Sequence, residues 1–154
     1  MAIRYWLGVV QREHVLRGVS LGIAQLNHGS RSSISRLGES DGLVYYSPKT
    51  SFPDGERLRE FTAIGRVAAG EVYQATDGPA MTTASGETFR PWRRRVDYDH
   101  AAVAAPIGPL LPVLDFTSAS SNWGFQLRRG LIELSRHDFD VIREQMRPPS
   151  ADDR

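Results

Sequence analysis

The chain has 154 residues, of which 40% are hydrophobic and 24% charged, and this is the composition of an ordinary soluble globular domain. It contains no cysteine, which excludes a disulfide framework, a thiolate metal site and a cysteine nucleophile. The net charge of +1 argues against strong non-specific binding to nucleic acid, although Lys49 is the only lysine and nearly all the positive charge is therefore guanidinium.

The chain begins with a predicted strand over residues 3–10, in which apolar residues recur with period two. Neither a signal-peptide core nor a run of membrane-spanning length occurs, so we expect a cytoplasmic protein without a membrane partner. Trp6 lies opposite the main apolar face, which makes it a candidate wall of a ligand cavity; the alternative, favoured by burial statistics, is a core tryptophan. Residues 11–17 then predict a short helix that ends at Gly18.

A loop is predicted over residues 20–30, where no hydrophobic period is sustained. It carries Gln25, Asn27 and His28, whose side chains can bond the polar edge of a nucleobase or simply stabilise turns. A short helix over residues 30–37 is predicted to follow.

Two strands are predicted next. Residues 43–47 are predicted to form a strand stopped by Pro48. Residues 61–74 are predicted to form a long strand or a bent strand pair in which Gly65 and Gly70 mark bulges or sharp curvature. Repeated glycine within strands favours a small, strongly curled sheet.

The most unusual segment is 89–98, Phe-Arg-Pro-Trp-Arg-Arg-Arg-Val-Asp-Tyr, which follows a Gly-, Ser- and Thr-rich stretch, 75–88, predicted to be a mobile loop. As a strand, it places Trp92 and Arg94 on one face with the apolar residues and Arg93 on a solvated face. Arg94 then needs a buried partner or a polar cavity. An indole beside a guanidinium suits a nucleobase with its phosphate; the alternative is a half-buried scaffold tryptophan on a charged strand.

In the C-terminal part, prolines prevent a long helix over residues 101–114, and a polar turn is predicted over 117–121. Asn122 and Trp123 supply another amide and a third indole as candidate ligand contacts. They precede a segment, 126–134, whose pattern fits either a helix or the end of a strand.

The last predicted helix has the clearest start signal. Ser135 can cap it, Asp138 stands at the reciprocal capping position, and Leu134 and Phe139 are spaced as a hydrophobic staple. A disordered tail is predicted over residues 148–154.

Catalysis has little support in the sequence. The four histidines lack metal-ligand spacing, and no nucleophile elbow, phosphate loop or dinucleotide fingerprint occurs. Asp97 and Asp99 could act as a carboxylate pair, but next to Arg93 and Arg95 they are expected to form mutually neutralising surface charge. We therefore expect a protein that is not an enzyme, with no cofactor and no metal site.

Six stretches, in this order along the chain, resemble the EVE domain, a family of the PUA-like superfamily that is related to the YTH readers of methylated adenine. The likeness covers about residues 3–147 and lies in the order of the stretches: Tyr5-Trp6, Gly22-Ile-Ala-Gln-Leu-Asn-His28, Ile34-Ser-Arg-Leu-Gly-Glu-Ser-Asp-Gly-Leu-Val-Tyr-Tyr46, Ala63-Ile-Gly-Arg-Val67, Phe89-Arg-Pro-Trp-Arg93 and Asn122-Trp-Gly-Phe-Gln126. The early loop departs from the Arg-Asn pair of many EVE domains, since it carries Leu26, Asn27 and His28.

The resemblance implies an α+β fold: a small, mixed, strongly curved β-barrel with helices packed around it, as a single domain over residues 1–147. It also implies a non-catalytic domain that binds DNA or RNA and recognises a modified base in an aromatic-lined pocket. A binding protein for a small anionic or heterocyclic metabolite is the alternative. By matching position, Trp6, Asn27, Tyr46, Trp92 and Trp123 fall near the pocket, and Arg90 and Arg93 fall near its mouth, where they would hold phosphates.

Overall fold

The computed structural model describes residues 2–51, 53–76, 80–82 and 85–149. In this part of the chain the strands are β1 Tyr5–Val9, β2 Ile23–Ala24, β3 Gly42–Lys49, β4 Arg57–Val67, β5 Tyr73–Gln74, β6 Met81–Thr82, β7 Thr88–Phe89, β8 Trp92–Tyr98, β9 Ala105–Pro106 and β10 Leu131–Leu134. The α-helices are α1 Arg12–Leu21, α2 Arg31–Ile34, α3 Asp115–Ser118 and α4 Arg136–Gln145, and 3-10 helices span Asn27–Gly29, Gly108–Leu110 and Trp123–Arg129.

One mixed sheet organises the described residues, in the order β10-β1-β3-β4-β8-β2. β1 is parallel to β3, whereas β10 and β1, β3 and β4, β4 and β8, and β8 and β2 are antiparallel pairs. β4 changes partner along its length, pairing with β9 near its start and with β8 at its end. The result is a strongly curled half-barrel with helices packed around it, which confirms the predicted α+β, PUA-like fold class.

Both faces of the sheet are covered, because alternate residues of each strand enter different cores. The first core lies against α4 and is built around Leu7, Val44, Tyr46, Phe61, Phe139 and Ile142. The second core lies against α1 and α2 and is built around Trp6, Val15, Ile34, Leu43, Tyr45 and Val96.

The start of α4 confirms Ser135 as its cap, whereas the Asp138 carboxylate accepts N–H groups of α3 and not the reciprocal N–H of Ser135. Asp138 donates its backbone N–H to Ser135 Oγ at 3.1 Å, and Leu134 and Phe139 are both buried in the first core, as the staple spacing predicted. Of the predicted tail, residues 150–154 lie outside the described residues.

The predicted end of α1 was wrong. The helix continues through Gly18 to Leu21, and Gly22 ends it with φ of +69°, a left-handed conformation that glycine adopts without steric cost. The predicted loop that follows contains the short strand β2, because Ile23 and Ala24 pair with β8.

Gly65 does not mark a bulge. The bulges between β3 and β4 lie elsewhere, at Tyr45/Tyr46 and at Ser47/Lys49. A Cβ at Gly65 would collide with the backbone of Asp97, so glycine is needed there for the close approach of β8. Gly70, with φ of +118°, separates β4 from β5, so of the two predicted alternatives the segment is a pair of strands and not one long strand.

Two other predicted irregular segments contain regular structure. The segment predicted as a mobile loop forms the hairpin of β6 and β7, although residues 77–79, 83 and 84 within it are outside the described part. The predicted polar turn at 117–121 begins inside helix α3. None of the helices in the described residues is both long enough and apolar enough to cross a membrane.

Candidate ligand-binding cavity

A cavity of about 620 Å³ lies between α1, the end of β1, β2 and β8, and we call it the α1 cavity. Its walls combine apolar side chains with side chains that form hydrogen bonds. The apolar ones include Val9, Val15, Leu21, Ile23 and Met81; the polar ones include His14, Arg17, Gln25, Asn27, Tyr45 and Arg93.

The charge of the α1 cavity is positive. Arg17 from α1 and Arg93 from β8 supply guanidinium groups, and none of its described lining residues is Asp or Glu. Such a cavity favours a ligand that carries negative charge, because guanidinium groups form charge-assisted hydrogen bonds with anions.

Gln25 and Arg93 form the polar centre of the cavity. Arg93 Nε donates to Gln25 Oε1 at 3.1 Å, and Gln25 Nε2 lies 3.5 Å from Met81 Sδ. Strand pairing places them together, since β2 is antiparallel to β8 directly before Gln25. Each side chain therefore limits the orientation of the other.

Tyr45 lies beside this centre, with only 3% of its surface exposed. Burial raises the pKa of Tyr45 to about 12 and also raises that of Tyr98, whose hydroxyl lies 3.5 Å from the Tyr45 hydroxyl. Tyr98 donates its proton to the carbonyl oxygen of Ile23 at 2.8 Å. Both hydroxyls therefore stay protonated at neutral pH.

Asn27 connects the cavity to the start of β10. It has φ of +45°, and its side-chain Nδ2 donates to Ser33 Oγ at 2.6 Å and to the carbonyl oxygen of Arg129 at 3.2 Å. A Cβ at Gly130 would collide with the Asn27 amide, so glycine is needed at that position. The amide of Asn27 thus holds the loop in place as well as lining the cavity.

Of the residues predicted to bind a ligand, Gln25, Asn27 and Arg93 are brought together in the α1 cavity. The prediction that Arg93 faces solvent from the strand was wrong, because the residue is half-buried there. β8 pairs in turn with β5, β2 and β4, so neither of its faces keeps one environment along the strand.

Trp6 and Tyr46 are placed in the protein interior instead. Trp6 has no exposed surface, and its Nε1 donates to Asp41 Oδ2 at 2.9 Å within the second core. Tyr46 is 3% exposed and packs edge-on against Phe61 in the first core, at a centroid distance of 5.8 Å. Neither is among the described residues that line the α1 cavity.

Trp92 and Arg94 are half-buried and are not among the described residues that line the α1 cavity. The Arg31 guanidinium covers the indole of Trp92, with Cζ 4.7 Å from the ring centroid. Arg94 Nε is buried and has no hydrogen-bond partner among the described residues, so the predicted buried partner is not found. This orphaned donor is an energetic cost within the strand.

The remaining predicted site residues lie at other places. Asn122 is exposed, and Trp123 packs against the first core with its ring edge-on to Phe116. Arg90 is half-buried, and its carbonyl oxygen accepts a hydrogen bond from Gln74 Nε2 at 3.1 Å. The side chain of His28 lies outside the described part of the chain.

Sequence reasoning missed Tyr45, His14 and Arg17. One signal for Tyr45 was present: Gly8 pairs with it across β1 and β3, and a Cβ at Gly8 would lie 3.0 Å from the Tyr45 ring. A glycine opposite two adjacent tyrosines leaves room for one ring. The sequence carried no such signal for His14 and Arg17, because whether their side chains face the cavity depends on how α1 is rotated about its axis.

A second polar cluster joins the starts of α3 and α4, where Asp115, His137 and Asp138 bring potential metal-ligand atoms within 4.8 Å of one another. Asp138 is fully buried, and its two oxygens accept the backbone N–H groups of Asp115 at 2.7 Å and Phe116 at 3.1 Å. A hydrogen bond with Asp138 raises the pKa of His137. The carboxylate of Asp138 therefore acts as the cap of α3.

Comparison with known proteins agrees with this fold. The chain is 47% identical over 147 residues to a UPF0310 protein of Renibacterium salmoninarum, an alignment that covers 96% of this chain and 98% of that protein. A hypothetical protein from Leishmania major superposes with a TM-score of 0.55 at 11% identity, and the MmI1 YTH domain superposes with a TM-score of 0.51 at 11% identity; each covers 92% of both chains. At these identities the two structures show similarity of fold alone. The family model of the EVE domain matches residues 4–145, and the chain therefore belongs to the EVE domain family.

Proposed function

We propose that this chain is a non-catalytic nucleic-acid-binding domain that holds one base, carrying a modification, in the α1 cavity. The observation that carries the proposal is the lining of that cavity: an amide and a guanidinium hydrogen-bonded to each other, a second guanidinium, and no acidic side chain among the described lining residues. Amides and guanidinium groups are the side chains that bind base edges and phosphates.

The size of the cavity supports a ligand as large as a nucleotide. Its volume of about 620 Å³ lies within the range of roughly 300–1,000 Å³ typical of small-molecule sites. A base within a strand reaches such a site by rotating out of its stack, at a cost of a few kcal/mol that contacts in the pocket must offset.

The apolar walls are the part of the cavity that would favour a modified base. Val15, Leu21, Ile23 and Met81 provide aliphatic and thioether surface, and Tyr45 provides an aromatic ring. A methyl group buried against such surface contributes roughly 25 cal/mol per Å² of apolar area removed from water. An unmodified base lacks the methyl group, so its binding gains no such contribution.

A small anionic or heterocyclic metabolite is the second candidate ligand, and the same cavity supports it. The net charge of +1 gives the whole chain little general attraction to a polyanion, so a compact ligand that interacts only with Arg17 and Arg93 also fits the observed charge. The two candidates differ in whether binding depends on the nucleotides that flank the bound base.

The test is a fluorescence-anisotropy titration in which the protein is added to short dye-labelled DNA and RNA oligonucleotides, unmodified or carrying methylated or hydroxymethylated cytosine or methylated adenine, at low and moderate salt. We expect an anisotropy increase that prefers one modified base and persists when salt is added, because base contacts are screened less than phosphate contacts. No response to any oligonucleotide, even at low salt, would reject nucleic-acid binding in favour of a metabolite.

A matched pair of variants on β8 connects the response to the cavity. Arg93→Gln removes a guanidinium of the cavity lining, and we expect it to weaken binding about tenfold or more. Arg95→Gln is the control, since Arg95 lies on the same strand but is exposed and outside the cavity lining. Equal losses in both variants would indicate general charge attraction and not a site.

A further inference from the structure

The polar centre of the α1 cavity has a defined hydrogen-bonding polarity. Arg93 Nε can only donate, so the Gln25 atom 3.1 Å from it is the carbonyl oxygen. The NH₂ group of Gln25 is consequently turned the other way, where its neighbour is Met81 Sδ at 3.5 Å. Because a thioether is a weak acceptor, this NH₂ group remains able to donate to a ligand.

The Tyr45 hydroxyl adds a second donor. The backbone of Gln25 is in hydrogen-bonding contact with this hydroxyl and favours its ionised form, which is the effect of an N–H donor on the phenol oxygen. Tyr98 gives its own proton to Ile23, and the Tyr45 oxygen lies at 3.5 Å, the long limit of a hydrogen bond. The Tyr98 oxygen could accept the Tyr45 proton only at this long distance, so the Tyr45 proton is available to a ligand.

Building on the proposed function, we infer that the α1 cavity selects a nucleobase by an edge on which two neighbouring atoms both accept hydrogen bonds. Guanine offers O6 and N7, and cytosine offers O2 and N3. Adenine and uracil offer no such neighbouring pair: in adenine the amino group separates N1 from N7 and the C2–H group separates N1 from N3, and in uracil the N3–H donor separates the two oxygens. An N–H of the ligand placed against the Gln25 NH₂ group or the Tyr45 hydroxyl proton would leave two donors facing each other, both desolvated and neither bonded.

The test is a ¹H–¹⁵N chemical-shift titration of the whole chain with the 5′-monophosphates of guanosine, cytidine, adenosine and uridine, and with ribose 5-phosphate. We expect the guanosine and cytidine nucleotides to bind about fivefold or more tightly than the other two, the discrimination typical of a bidentate base contact. The backbone amides of Gln25 and Tyr45 should shift with these ligands.

Three outcomes would overturn the inference, and they are distinguishable from one another. Equal affinity for the four nucleotides, all tighter than ribose 5-phosphate, would reject edge selection and leave the proposed function intact. Ribose 5-phosphate binding as tightly as the nucleotides would show that the donors hold phosphate. No binding of any nucleotide would reject the inference, and the titration with modified oligonucleotides would then decide separately whether the proposed function stands.

The variant that isolates the Gln25 donor is Gln25→Glu, in which a carboxylate still accepts from Arg93 but offers no donor to the ligand. We expect the ratio of guanosine to adenosine affinity to fall towards one, whereas general repulsion of phosphate would weaken both nucleotides equally. Gln145→Glu, at the exposed end of α4, makes the same charge change elsewhere and should preserve the ratio. Tyr45→Phe removes the second donor and should lower the ratio independently; an unchanged ratio in both cavity variants would refute the inference.

Discussion

Two polar clusters of this chain, one at the start of α4 and one in the α1 cavity, are built in opposite ways. Asp138 is completely buried, and each of its oxygens accepts a backbone N–H group, so its hydrogen-bonding capacity is used within the chain. In the α1 cavity, the NH₂ group of Gln25 faces only the weakly accepting Met81 Sδ at 3.5 Å among the described residues, so a donor is left in excess. A polar cluster whose bonds close within the chain stabilises the fold, whereas one with donors in excess gains most from a ligand.

Asp138→Ala should give the largest effect, and that effect should be confined to stability. Two partly buried N–H groups lose a charged acceptor, so we expect the free energy of unfolding to fall by about 3 kcal/mol, measured by urea denaturation. Asp140→Ala on the same helix removes only 3.6 Å contacts with Arg136 and Arg143 and should cost less than about 0.5 kcal/mol. Similar losses in the two variants would contradict the capping role.

Trp6→Phe should be the next largest change. It removes the hydrogen bond to Asp41 and leaves a space in the second core, for an expected loss of about 2 kcal/mol in the free energy of unfolding. Ligand affinity of the folded variant should match that of the unchanged chain in the fluorescence titration. Weakened ligand binding at unchanged stability would instead place Trp6 in the cavity wall.

Asn27→Gly separates the backbone conformation of Asn27 from its hydrogen bonds. Glycine adopts the φ of +45° without strain, but the donors to Ser33 and Arg129 are lost, so we expect about 1 kcal/mol of destabilisation and faster amide exchange over residues 23–29. Asn27→Asp, which replaces a donor with a negative charge facing the Arg129 carbonyl oxygen, should be worse than glycine. A smaller loss in the Asp variant would show that backbone conformation, and not the two hydrogen bonds, is what Asn27 contributes.

The smallest expected effect is a pH dependence of stability from His137. Because its folded pKa is raised above the usual 6.5, its contribution is fully present below that value and is lost as the pH rises through the raised pKa. Urea midpoints measured from about pH 6 to about pH 8 should therefore decline slightly, and His137→Gln should remove that part of the slope. If the slope persists in His137→Gln but disappears in His14→Gln, the pH dependence of stability comes from His14 and the prediction is wrong.

The periodic segments were predictable from the sequence, and their burial was less so. β1, β3, β8 and α4 were located by alternation or by capping signals, because those signals depend on local geometry alone. Alternation distinguishes two faces of a strand but not which face meets solvent. In a sheet covered on both sides neither face of a strand is exposed to solvent, and Trp6 is therefore buried in the second core.

The candidate site was predictable only where its residues lie close in sequence to an unusual loop or strand. Gln25, Asn27 and Arg93 were predicted because amides in a loop and arginines in a strand are distinctive residue types. Arg17 and Tyr45 were missed, since their inclusion depends on how α1 packs and on which of two adjacent tyrosines faces Gly8. These are properties of the assembled sheet.

The position of β1 between β3 and β10 also bears on how this protein folds during synthesis. β1 pairs on one side with β10 in the register Tyr5 to Leu134, so a segment synthesised before the rest of the sheet pairs with one synthesised after it. Contacts of such long sequence separation slow folding. Until residues 131–134 emerge, that edge of β1 has no neighbouring strand, and an unpaired edge strand is a site of aggregation that a chaperone would need to cover.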